Sequence, residues 1–224
     1  MTSGRRLSDA EFDTICQAVE LISARLEVSL CVSIGAIDAA RARALRQAGV
    51  TRVHHNLEAS AHHFPSLCTT HSYAERVESV CAAKENGLPV CCGGIFATGE
   101  SMTDRLDLAF ALRDLRVDRV PINILRPIEG TPLADCPPVP PMEILRAIAL
   151  FRLVLPTTPI IIAGGREHNL RDLQSWVFHA GATGMMTGDY LTTRGRGTSE
   201  DTRMTRDLRL TFGERKAPVV SEPR

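Results

Sequence analysis

Two adjacent thiols, Cys91 and Cys92, stand where an apolar run, Leu88-Pro89-Val90, gives way to Gly93-Gly94-Ile95-Phe96-Ala97-Thr98-Gly99-Glu100. Such a run reads as a strand ending in a glycine-rich loop, and in α/β proteins the carboxyl ends of parallel strands open onto the ligand site. Successive side chains on a strand point to opposite faces, so at most one of the two thiols serves a given site. Glycine lets backbone approach a ligand where a β-carbon would clash. Cys31 closes an earlier apolar run, and Arg166 follows Pro159-Ile160-Ile161-Ile162-Ala163-Gly164-Gly165. If these strand tips converge on one interior, two thiolates and a guanidinium could hold an iron–sulfur unit. Thiolates are its usual ligands, and the cation offsets its negative charge. Asn56 and Asn123, at two further strand tips, offer amide donors and acceptors for a neutral polar ligand such as a urea or carboxamide. Glu58 could accept hydrogen bonds from ribose hydroxyls.

Other polar residues carry less chemistry. His54-His55 and His62-His63 are adjacent pairs without HxxxH or HxH spacing, so each offers at most one ligand to a site and zinc is not expected. The seven cysteines are odd in number and follow no secretion signal, which argues against a disulfide framework. Cys16 and Cys81 fall in helical patterns and read as buried apolar thiols. Cys68 and Cys136 are loop thiols without a partner in sequence.

The elements that must position these residues alternate along the chain. Apolar spacing and capping residues predict helices over 8–25, 38–48, 72–86, 101–115, 141–155, 170–179 and 199–210. Strands are predicted at 28–33, 51–56, from 88 into the thiol pair, at 117–125, at 159–163 and around 184–186. Apolar strands alternating with helices imply a parallel sheet covered on both faces. The fold class is therefore α/β. The expected architecture is an incomplete (β/α)8 TIM-type barrel of about six parallel strands with outer helices, over residues 1–195. A C-terminal helix and polar tail occupy 196–224.

The charge balance, 26 basic against 26 acidic residues, provides no field for nucleic acid. No apolar run is long enough for a membrane-spanning helix, and the N-terminus lacks a signal core, so a cytoplasmic location is expected.

Seven blocks then occur in order: Cys31-Val32-Ser33-Ile34-Gly35, His55-Asn56-Leu57-Glu58, Thr69-Thr70-His71-Ser72-Tyr73, Val90-Cys91-Cys92-Gly93-Gly94-Ile95, Val120-Pro121-Ile122-Asn123, Gly130-Thr131-Pro132-Leu133 and Ala163-Gly164-Gly165-Arg166-Glu167. Together they closely resemble the biotin synthase family of radical S-adenosylmethionine enzymes, over about residues 3–193. The resemblance implies a (β/α)8 barrel that inserts sulfur into dethiobiotin. A [4Fe-4S] cluster would cleave S-adenosylmethionine to a radical that abstracts hydrogen, and a [2Fe-2S] cluster would supply the sulfur. By motif, Cys31 and Cys91 correspond to two of three cysteine ligands of the [2Fe-2S] cluster and Arg166 to its arginine ligand. Asn56 and Asn123 correspond to residues around dethiobiotin, Asn56 and Glu58 to the adenosylmethionine ribose region, and Gly93, Gly94 and Ile95 to backbone beside the adenosine. Cys92, where the family commonly has serine, is expected to be a spectator. A homodimer and an electron-donor protein are the implied partners.

The departures are specific. The family's CxxxCxxC loop for the [4Fe-4S] cluster and its third [2Fe-2S] cysteine are not in this sequence. His54 stands where many members have asparagine, and Ala97-Thr98-Gly99-Glu100 lacks the first glycine of GxGE. The expectations are therefore a truncated biotin synthase, one half of a split enzyme, or a non-catalytic paralogue that binds a small ligand or acts as a scaffold. A sibling radical enzyme with another substrate is a further alternative. An incomplete barrel would expose strand edges and favour association.

Overall fold

Three helices begin with the same device. In the computed structural model, which describes residues 5–190 and 194–211, Ser8, Ser72 and Ser101 each cap a helix through a reciprocal bond with an acidic residue three positions on. The partners are Glu11, Glu75 and Asp104. Each pair satisfies two backbone N–H groups that a helix start leaves open. They begin α1 (Asp9–Arg25), α4 (Tyr73–Glu85) and α5 (Met102–Asp114). Between the first two lie β1 (Cys31–Val32), α2 (Ala39–Ala48), β2 (Arg52–His54) and a short α3 (Phe64–Leu67). After α4 come β3 (Val90–Cys91) and β4 (Gly94–Phe96), and after α5 come β5 (Val120–Ile124), α6 (Pro141–Val154) and β6 (Ile160–Ile162). The chain continues through α7 (Arg166–Leu170), a 3-10 turn at Arg171–Leu173, α8 (Trp176–His179), β7 (Gly184–Met185) and α9 (Thr198–Asp207).

Every ladder among the described strands is parallel, in the order β1-β2-β3 and β4-β5-β6-β7. Six strands are expected from sequence and seven are found among the described residues, because the third is divided at Cys92-Gly93. The division is shallow. A parallel bridge from Cys91 to Arg119 continues the register in which Gly94 faces Ile122, so β3 and β4 run along β5 as one line. On the other side His54 faces Cys91 while Glu58 faces Gly94. Four residues on one strand thus oppose three on the other, which is a bulge, and Glu58 takes it up with a left-handed φ of 71°.

The expected helix at 170–179 is broken instead into α7, the 3-10 turn and α8. Arg171, at φ 49° and ψ −121°, interrupts the helical path. The loop at 61–68 contains α3, whose second residue is Pro65.

One face of the sheet is the core. Val32, Val53, Val90, Ile122 and Ile162 are buried there with Leu45, Val80, Leu108, Ile148 and Phe151 of the helices. The alternate residues, Cys31, Arg52, His54, Cys91, Arg119, Asn123 and Ile161, share the opposite face. Phe96 and Phe151 meet edge to face at 5.3 Å.

The chain divides into two compact units, Met1–Met186 and Thr187–Arg224. In the second, α9 carries the helix expected at 199–210. The polar tail expected beyond it, at 212–224, lies outside the described residues. No described helix is long and apolar enough to cross a membrane.

Candidate functional site

A cavity of ≈ 160 Å³ opens beside the bulge, lined among others by His54, His55, Asn56, Glu58, His71 and Arg76. Two of the residues singled out from sequence, Asn56 and Glu58, are in its wall. Arg76 is a site residue that sequence reasoning missed. It reaches from α4, where its helical position looks like solvated charge. Its guanidinium donates to the Asn56 carbonyl at 2.8 Å, lies 3.8 Å from the Glu58 carboxylate and stacks over the Phe64 ring at 5.5 Å. Arg5 and Glu75 pair at the rim. Burial raises the Glu58 carboxyl above its ordinary range, while Arg76 and the Asn56 amide pull it back. Burial, aided by the Arg76 charge, lowers His55 to about 4. At neutral pH the imidazole is uncharged, and its Nε2 is buried without a hydrogen-bond partner.

The two asparagines are held alike. Asn56 Oδ1 accepts from the Gly93 N–H at 3.0 Å, and Asn123 Oδ1 accepts from the Gly164 N–H at 3.0 Å. Fixing the oxygen turns each Nδ2 into an oriented donor. That of Asn56 reaches Glu58 at 3.3 Å. The asparagines sit two strands apart, with Asn123 paired to Ile95 across β4 and β5.

The glycines of the central loop also have a structural role. A β-carbon on Gly93 would lie 1.8 Å from the Pro121 carbonyl oxygen, and one on Gly94 would lie 2.4 Å from that of Glu58. Their smallness lets neighbouring strands close on each other. It is required by the fold before any ligand is considered.

Cys91 and Cys92 do face opposite ways. Cys92 is in the apolar core, its thiol pushed far up by burial. Cys91, 8% exposed, is on the other face, and burial followed by the Cys31 charge pushes its thiol up to about 11. Cys31 begins β1 rather than closing it, and is exposed. The positive charges of Arg52 and Arg119 act against the burial that raises both thiols. Arg166, the third residue expected at the cluster, is deeply buried. It starts α7 past the end of β6, is 0% exposed, and donates to Gln174 Oε1 at 2.5 Å and to the Met186 carbonyl at 3.3 Å, with Glu167 at 3.4 Å. On the thiol-bearing face β6 itself presents Ile161.

His54 and His55 both line the cavity, whereas His62 and His63 part. His62 Nδ1 meets Asp104 at 3.0 Å, while His63 Nε2 meets Thr98 Oγ1 at 3.1 Å.

With this geometry in view, comparison with known proteins is decisive for the family. Residues 1–112, half of the chain, match the family described as "Radical SAM superfamily". The chain belongs to the radical SAM superfamily. Residues 121–211 match the "Biotin and Thiamin Synthesis associated domain". The chain is 53% identical to the curated biotin synthase of Heliobacterium modesticaldum over 210 residues, which cover 94% of this chain and 64% of that protein. Against the biotin synthase of Geobacter metallireducens the identity is 53% over 214 residues, covering 95% and 65%. This radical SAM chain therefore spans a little under two thirds of the length of the curated relatives it matches.

Among solved structures, methylornithine synthase (PylB) superposes with a TM-score of 0.73 at 19% identity, covering 90% of this chain and 64% of that one. The FeFe-hydrogenase maturase HydG from Carboxydothermus hydrogenoformans gives 0.75 at 17%, covering 93% and 54%. At these identities the likeness establishes the (β/α) fold of this radical SAM chain.

The donor set of the radical SAM chain bears differently on the two clusters. Cys31 and Cys91 are soft thiols on one face with Arg52 and Arg119 as cross-strand partners, a set that would suit part of an anionic iron–sulfur unit. The seven cysteines include no CxxxCxxC, and no group of three His, Cys, Asp or Glu gathers among the described residues. These residues do not fit a [4Fe-4S] cluster.

Proposed function

We propose that this chain is the substrate-binding and sulfur-inserting part of a biotin synthase, acting on dethiobiotin with S-adenosylmethionine. The observation that carries this reading is the half-identity to curated biotin synthases along nearly the whole chain. The oriented amides of Asn56 and Asn123 suit the ureido group of dethiobiotin, which needs both donors and acceptors. Glu58 and the backbone at Gly93, Gly94 and Ile95 flank the adenosylmethionine site, and the charged wall of the cavity matches a zwitterionic ligand. Cys31 and Cys91 would hold the [2Fe-2S] cluster. When bound, adenosylmethionine supplies the hydrogen-abstracting chemistry and the cluster supplies the sulfur.

The chain's own residues bind and orient. Gly93 and Gly164 N–H groups fix the two amides, Arg76 restrains Glu58, and Cys91, whose thiol burial keeps protonated, would hold a cluster as the thiolate. The [4Fe-4S] cluster takes its thiolates from outside these residues. A homodimer and an electron-donor protein complete the proposal.

Calorimetric titration of the chain with dethiobiotin, in the presence of adenosylmethionine, tests the substrate. Saturable binding that weakens in Asn123→Ala is expected. No binding by the folded wild-type chain sinks the reading. Anaerobic turnover with a CxxxCxxC-bearing segment added in trans, read as biotin by mass spectrometry, tests the chemistry.

A further inference from the structure

The sheet face that carries the thiols also carries two guanidiniums in a fixed relation to them. Cys31 is the direct cross-strand partner of Arg52 between β1 and β2, and Cys91 is the bridge partner of Arg119 between β3 and β5. Residues paired across parallel strands point to the same face, so each arginine stands beside one thiol. Among the described residues neither Arg52 nor Arg119 side chain makes an ion pair or hydrogen bond, whereas Arg41, Arg76 and Arg105 are each held by acceptors. Two uncompensated cations beside two thiols mark a place for an anion that both can reach.

We infer that Arg52 and Arg119 flank the iron–sulfur site as positioning residues that help offset the negative charge of a cluster held by Cys31 and Cys91. This rests on the cluster reading above. It adds two cations to the site, on side chains that make no ion pair or hydrogen bond among the described residues. A thiolate-bound cluster is anionic, and a guanidinium keeps its charge at every relevant pH while offering planar donors to sulfur. Positive charge beside a cluster favours the more negative, reduced state, so the pair raises its reduction potential.

The test loads the whole chain anaerobically with ferrous iron and sulfide. It compares wild type, R52Q/R119Q and R52K/R119K by iron content, rate of iron loss to a chelator, and reduction potential. R52Q/R119Q is expected to lose iron several-fold faster and to titrate at a lower potential, with R52K/R119K restoring the potential. Wild-type behaviour of a loaded R52Q/R119Q overturns the inference and leaves the cluster reading standing. A folded wild-type chain that takes up no iron and sulfide overturns the cluster reading instead. The inference is then still tested on the metal-free chain. Cys31 is labelled with an anionic and with a neutral disulfide, and the ratio of rates is read by peptide mass spectrometry. A several-fold fall of that ratio in R52Q/R119Q is expected, and an unchanged ratio overturns the inference.

Discussion

Asn56 and Gly93 are joined by a 3.0 Å hydrogen bond from the glycine N–H to the amide oxygen, in the interior beside the cavity. The bond fixes the orientation of a proposed substrate ligand and the path of the strand from β3 to β4 at once. Asn56→Ala leaves a buried N–H without its acceptor, and should cost about 1–3 kcal/mol in urea denaturation. Asn56→Asp keeps an acceptor but sets a second carboxylate against Glu58, which Asn56 now meets at 3.3 Å. That variant should be more stable in mild acid than at neutral pH, relative to wild type. Equal stability of the alanine variant and wild type would show that the bond holds nothing.

Gly93 tests the closeness of the strands more severely. Its β-carbon would sit 1.8 Å from the Pro121 carbonyl, so Gly93→Ala must push β5 away. The expected cost is about 3 kcal/mol or more, seen as a lower thermal midpoint. Gly99→Ala is the comparison: at φ 94° its backbone is strained for alanine, but no atom lies within 4 Å of the new carbon. It should cost about 1 kcal/mol. The reverse ranking would mean that the strand contact yields readily.

Most of the scaffold is legible in the sequence because its signals are local. Ser8, Ser72 and Ser101 announce helix starts, and each is a cap in the structure. The opposed faces of Cys91 and Cys92 follow from strand alternation alone. What is not legible depends on register. The bulge before Glu58 is visible only when His54 and Glu58 are set against Cys91 and Gly94. The partnership of Arg52 and Arg119 with the thiols likewise needs four strands to be aligned. The partners of Arg166 are not legible either, because Gln174 and the Met186 carbonyl come from later turns of the chain. The missing glycine at Ala97 shows the converse. Its φ of 67° is a glycine-like conformation, and two backbone bonds to Glu100, from Ala97 at 2.8 Å and Thr98 at 2.7 Å, hold it there.

Glu100 depends in turn on Arg105, which is 2% exposed and donates to Glu100 at 2.6 Å and to Glu143 at 2.7 Å. Arg105→Leu strands the Glu100 carboxylate in the interior, and should cost about 3–5 kcal/mol. Glu100→Gln in the same background should recover part of that loss, since the buried charge is gone. A double variant no better than Arg105→Leu alone would assign the cost to lost packing over Phe96, whose ring lies 5.5 Å from the guanidinium.

His55 makes stability depend on pH in a defined window. Burial first, then the Arg76 charge, lower its pKa to about 4 in the folded chain. An exposed histidine titrates near pH 6.5, so between these values the unfolded chain binds the extra proton. Stability is therefore fully present above the unfolded value and falls as pH drops from about 6.5 toward 4. His54, lowered by burial, adds in the same direction. For His55 alone the loss between pH 7.5 and 5 should be about 2 kcal/mol. Carboxylates held low, such as Glu100 and Asp104, lose their contribution only at more acid pH and do not mask it. Urea midpoints measured across this range should slope steeply for wild type and less for His55→Gln, which cannot titrate. Parallel slopes would place the proton uptake elsewhere.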